Sequence, residues 1–237
     1  MKNIFRFFFC SLAALVVFSC EQANEKINCE DILEKTYSAS SLNNFEKNKF
    51  KDLLENRYPE FDSMFEEAAK ETKIEKNLLA AISFQESQWD PKAISNMGVR
   101  GMMMVTLETA ALVGVEKRLN PEQNIKGGAK YFAILQEKNK IGPTEADKLS
   151  ATLASYNLGP TNMINIASQI NEDTSLVTWI EIQNKLKTMK GSELNLTDKG
   201  SYTRAQQALD YVDRVKDYYR LLSAHSCIAP KDQLSFF

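Results

Sequence analysis

The chain has 237 residues, 43% hydrophobic and 25% charged, an ordinary globular composition that excludes wholesale disorder. Its 29 basic and 31 acidic residues leave a net charge of -2, without the basic excess of a nucleic-acid binder, so no nucleic-acid partner is expected. Nine Gly and six Pro exclude collagen-like and low-complexity classes, and one His with four scattered Cys suggests no metal site and no cofactor.

The N-terminus reads as a targeting segment. Lys2 and Arg6 open it, and residues 7–18 are almost wholly apolar, broken at Cys10 and Ser11. That run is short of the roughly 20 residues a membrane span needs, and with its basic start it fits a secretory signal. It ends Val17-Phe18-Ser19-Cys20, which resembles a bacterial lipoprotein cleavage box, so residues 1–19 are expected to leave and Cys20 to carry lipid. A plain signal peptide or an uncleaved anchor helix are the alternatives. Glu21, rather than the Asp that commonly signals inner-membrane retention, points to the outer membrane, with the protein facing the periplasm. After export Cys29 and Cys227 remain. In an oxidising compartment they either pair or stay as separate buried thiols, and a disulfide tying the two ends is expected.

Residues 20–41 are polar and read as a tether. Helical patterns then follow one another: 45–58, stopped at Pro59, and 60–73, with Phe61, Met64, Phe65, Ala68 and Ala69 on one face. Residues 75–89 end before Asp90-Pro91, and 106–113 end at Gly114. Residues 121–139 start with Pro121 behind a capping Asn120. Patterns at 145–158, 160–170, 176–190 and 202–224 complete the series, with 191–201 as a loop. No strand period or internal repeat stands out, so the fold class is mainly α, in one domain. Its divisions are N-terminal helices at 42–71 packed on a domain at 72–225, then a tail at 226–237.

The informative stretch is 78–106. On a helix, Leu79, Ile82, Glu86 and Trp89 share one face, so Glu86 lies among apolar residues. Burial there raises a carboxyl pKa from about 4.3 toward neutrality, where it can serve as a general acid. A salt-bridged or solvent-reaching Glu86 is the plainer reading of this pattern alone.

The neighbouring residues favour the acid. Glu86-Ser87, Trp89, Pro91, Ala93, Ser95, Gly98 and Gly101-Met102-Met103 occur in order. Asn120-Pro121, Asn124-Ile125, Gly127-Gly128 and Tyr131 follow, then Ser155-Tyr156-Asn157-Leu158-Gly159. Over about 72–222 this series resembles the lytic transglycosylases, the peptidoglycan-cleaving relatives of goose-type lysozyme. The string Gly-Val-Arg-Gly-Met-Met-Met and the helix opening Tyr202-Thr203-Arg204-Ala205 resemble its membrane-bound F-type branch. Met104 stands where most members have a sugar-contacting Gln, a departure that the F-type branch shares; Met cannot donate a hydrogen bond. F-type members carry a large solute-binding-like domain before the catalytic one. Only residues 20–71 precede it here, so regulation through such a domain is not expected.

The resemblance implies a lysozyme-like helical fold, glycan strands of peptidoglycan as partner, and chemistry by one carboxyl group. Glu86 would protonate the glycosidic oxygen and then, as carboxylate, take the proton of the muramic acid C6 hydroxyl. The product is a 1,6-anhydro sugar and no water is used. An intramolecular nucleophile gains from proximity, which explains why no second carboxylate is compelling. Asp90 reads as a helix terminator, and Glu108 serves the helix dipole. Ser95 is implied near the acid and the substrate N-acetyl group, with a turn-stabilising Ser as the alternative. Met103 and Met104 would offer an apolar platform, and Tyr131, Tyr156 and Asn157 would line the cleft, with Tyr156 orienting Glu86. Tyr211 would close the cleft, and His225 receives no role. A water-using hydrolase would need a second carboxylate near Glu86. A non-catalytic peptidoglycan-binding lipoprotein would have no reason to keep Glu86 with Tyr156 and Asn157.

Overall fold

Capping residues explain where most helices begin. The computed structural model describes residues 28–189 and 203–227. Signal, Cys20, the whole 191–201 loop and the tail from 228 lie outside them. Asn43 and Glu46 form a reciprocal capping box that opens α2 (Asn44–Asn56). A 3-10 turn at Tyr58–Glu60 leads into α3 (Asp62–Thr72). Thr106 caps α5 (Leu107–Val113), which stops at left-handed Gly114. Asn120 caps α6 (Pro121–Lys138), with Pro121 at its first turn. Thr144 and Asp147 box the start of α7 (Glu145–Leu158), and α8 (Pro160–Ser168) follows one residue later. Thr178 and Glu181 box α9 (Trp179–Thr188), and Thr203 caps α10 (Arg204–His225).

The centre is α4 (Lys76–Ser87) against α10. Residues 77–84 of α4 are buried all round, as befits a core helix rather than a surface one. Phe50, Phe84, Trp89 and Tyr218 pack edge-on and stacked around it. The α7 helix also packs on α10, and α6 bridges α3 and α7. Backbone pairing is confined, among the described residues, to isolated bridges of Arg100 with Ile94 and with Val105. The fold is mainly α.

One expectation needs correction. The polar stretch 20–41 is not tether throughout: Cys29–Ala39 is a helix, α1, packed on α10. No residue of α1 is fully buried, but Ile32, Leu33, Thr36 and Tyr37 form a half-buried stripe along one face. The helix is further held by the Cys29–Cys227 disulfide (Cα–Cα 5.3 Å) and by a 2.8 Å hydrogen bond between the Tyr37 hydroxyl and His225 Nε2. Closing a loop of this separation, 198 residues, is worth up to about 5 kcal/mol in the chain-entropy model. No described helix is long and apolar enough to cross a membrane.

Candidate active site

Glu86 stands in the last turn of α4, where the buried run ends and the side chain regains partial access to solvent. The helix stops by turning left-handed twice, at Gln88 (φ 55°) and Trp89 (φ 57°). Such conformations cost about 1–2 kcal/mol each for residues with a Cβ. The fully buried Trp89 offsets this. Its indole burial stabilises by about 3–5 kcal/mol, and its Nε1 donates to the Ala80 carbonyl at 2.8 Å. The end of α4 is thereby fixed, and with it the backbone that presents Glu86.

The following loop is tied just as firmly. Ser87 and Ser83 both donate to the Met102 carbonyl, at 2.8 and 3.1 Å. Asn124, fully buried in α6, accepts from Met103 N at 2.7 Å and donates to the carbonyls of Arg100 (2.9 Å) and Arg118 (2.7 Å). Gly101 takes a φ of 79°, and a Cβ there would lie 2.3 Å from the Arg118 carbonyl oxygen.

Around Glu86 the surroundings differ. Protein atoms crowd the carboxyl, and this desolvation pushes its pKa up to about 7 against the opposing pulls of Tyr211 and Arg204. Tyr211, from α10, is 3% exposed, and its hydroxyl makes no hydrogen bond of normal geometry although it lies close enough to ease the Glu86 charge. Asn157 Oδ1, at the end of α7, is likewise buried without a partner. Arg204 donates to the Asn157 carbonyl (3.3 Å) and to Gln207 (2.9 Å), joining the start of α10 to the end of α7. Burial, then the charge of Glu86, holds the Tyr156 and Tyr211 hydroxyls well above the usual phenol range.

A cleft of about 840 Å³ runs beside this cluster between α5, α6 and the end of α7. Met104, Tyr131, Tyr156 and Asn157 line it, while Glu86 adjoins it through Tyr156, which feels the carboxylate's charge. The Tyr131 and Tyr156 rings meet at 5.6 Å.

Three expected roles change. Met103 is 0% exposed, its side chain pressed on Gly128, so it is core and cannot touch a ligand. Ser95 accepts from Met97 N (3.3 Å) and Val99 N (3.1 Å), which is the turn-stabilising reading rather than a substrate contact. Tyr156 does not orient Glu86 by a hydrogen bond; its hydroxyl donates to the Met103 carbonyl at 2.8 Å. Asp90 accepts from Lys92 N in a turn, as a helix terminator does, and Glu108 lines the cleft wall. Sequence reading assigned no role to Asn124 or to Arg204. A buried Asn beside Ile125 and two glycines on an amphipathic helix was the available signal for the first.

A family model described as the transglycosylase SLT domain matches residues 63–176. The membrane-bound lytic murein transglycosylase F of Maricaulis maris is 38% identical over 74% of this chain and 39% of its own length. The protein of the same name from Photobacterium profundum is 32% identical over 91% of this chain and 43% of its own. The chain thus spans less than half the length of these relatives. The solved lytic transglycosylase Slt from Pseudomonas aeruginosa aligns with a TM-score of 0.46 at 17% identity, over 77% of this chain and 28% of that one.

Proposed function

The chain belongs to the lytic transglycosylases through its SLT domain at 63–176, and from that premise we propose that it cleaves the β-1,4 bond between N-acetylmuramic acid and N-acetylglucosamine in peptidoglycan. The observation that carries this reading is Glu86, a carboxyl group held near a pKa of 7 at the end of a fixed core helix, beside a long cleft. Protonated Glu86 gives its proton to the leaving O4 of glucosamine as the C1–O4 bond breaks. The C6 hydroxyl of the same muramic residue attacks C1, the C1–O6 bond forms, and Glu86 takes the hydroxyl proton. The group ends protonated, as it began, and no water or cofactor enters. Near-neutral pKa suits one group to both roles. The N-acetyl group of muramic acid assists at C1 in place of a second enzyme carboxylate.

The open Asn157 Oδ1 is suited to accept from a sugar amide, and the open Tyr211 hydroxyl to donate to Glu86 once it is anionic. Tyr131, Tyr156 and Met104 supply the cleft wall against which sugar faces lie. In the cell we place the protein as a lipoprotein, anchored through Cys20 to the outer membrane and facing the periplasmic cell wall, in remodelling or turnover of murein. The signal-like start and the names of its membrane-bound relatives support this placement.

Mass spectrometry of soluble fragments released from purified sacculi tests the reading. Disaccharide-peptides one water lighter than hydrolysed ones, absent with Glu86→Gln, are the expected result. Reducing-end products would show a hydrolase, and no release by the wild-type protein would show a binding module.

A further inference from the structure

We infer that the far end of the cleft selects glycan strands that still carry their peptide stems, through Lys138 and Lys140 meeting stem carboxylates. This rests on the transglycosylase reading of the site. Tyr131 touches Tyr156 near Glu86, and Lys138 follows seven residues later on α6, about 10 Å farther along the helix axis. Lys138 and Lys140 line the same cleft, and the acid that lines it is Glu108, from α5.

Several cations elsewhere in this net-acidic chain have acidic partners, although others on the open surface, such as Lys73 and Lys92, make no ion pair among the described residues. Lys76 pairs with Asp62, Lys126 with Glu67 and Glu122, Lys130 with Glu71, and Lys148 with Glu145. Among the described residues Lys138 and Lys140 make no ion pair. Lys138, in the last turn of α6, also suits the helix dipole; Lys140 lies beyond the helix and has no such reason to be basic. The backbone between them is pre-set. Asn139 donates to the Lys148 carbonyl (2.8 Å) and accepts from Ile141 N (2.9 Å), and the Ile141 side chain is buried. Two ammonium groups are therefore held at one end of a cleft whose remaining lining is mainly neutral. The sugars of the strand carry no charge. The carboxylates of murein are on the peptides that branch from the lactyl group of muramic acid, so these cations match the branch rather than the strand.

The test compares kcat/KM of the full-length protein on peptide-bearing strands and on strands stripped of peptide by an amidase, with the lactyl carboxylates that the amidase frees then capped as neutral amides. Wild type is expected to prefer peptide-bearing strands about five- to tenfold, the size that two exposed ion pairs give. The preference should shrink at high salt. Lys138→Ala with Lys140→Ala should bring the ratio close to one, and Glu at both positions should bring it below one. Each ratio is taken within one protein, so a fold defect that slows both substrates cancels. Equal wild-type rates on the two substrates, or a preference that survives the double substitution, would overturn the inference while leaving the transglycosylase reading intact. No cleavage of either substrate by wild type would overturn both.

Discussion

Two regions that meet at the end of α4 treat their polar groups in opposite ways. In the loop from Gly98 to Val105, hydrogen bonds engage Asn124 at both ends of its amide and tie the carbonyls of Arg100, Met102 and Met103. In the cluster of Glu86, Asn157 and Tyr211, two buried polar atoms stay open and a carboxyl group sits where its charge is disfavoured. Buried polar atoms without partners cost about 1–3 kcal/mol each, so a fold tolerates them where a ligand or a proton transfer makes use of them. The saturated loop holds the geometry, and the unsaturated cluster suits the chemistry proposed for it.

Substitutions on the two sides should therefore fail differently. The largest effect is expected from Glu86→Gln, which keeps the fold and lowers kcat on sacculi by about 10²–10⁴, the usual contribution of a general acid. Steady-state release of muropeptides measures it. Asn124→Ala attacks the other side: it strips three hydrogen bonds from a buried loop and should cost about 3 kcal/mol, lowering Tm by roughly 6–12 °C. A thermal melt decides. If Asn124→Ala left Tm unchanged, the loop would not be the scaffold.

The carboxyl group should also show in stability. Its folded pKa lies above its unfolded one, so the unfolded chain ionises first and wild-type stability falls as pH rises from about 4.5 to 7. Glu86→Gln lacks that penalty. At pH 8 it should be more stable than wild type by about 2–3 kcal/mol, with little difference near pH 4, measured by urea unfolding at both pH values. The smallest effect is expected from Tyr211→Phe. Its hydroxyl makes no hydrogen bond of normal geometry, so its loss should change stability by less than about 1 kcal/mol while lowering kcat roughly tenfold. Because Tyr211 pulls the Glu86 pKa down, its removal should also move the alkaline limb of the pH–rate profile upward.

Much of this division could be read from sequence where the signal was local. Pro121, Pro160 and Gly114 bound their helices because ring closure or a left-handed turn leaves few alternatives. Glu86 stood out because a charge on an apolar helix face is costly. Other features rest on long-range contacts that no periodicity encodes. Helix α1 buries no residue fully and is stapled from a distance by Cys227 and His225. Met103 shares its composition with Met104, yet the backbone turns one into the core and gives the other a φ of 45° at the cleft wall. Ser95 and Tyr156 carry polar groups able to serve a site, but nearby backbone atoms claim them first.

The contrast is tested most directly by following the Glu86 side-chain carboxyl carbon by NMR through a pH titration, with Glu86→Gln to assign the signal. A midpoint near 7 is expected, because burial of the carboxyl group disfavours its charge by more than Tyr211 and Arg204 favour it. A midpoint near the ordinary glutamate value of about 4.3 would contradict it and leave Glu86 a plain, solvated carboxylate.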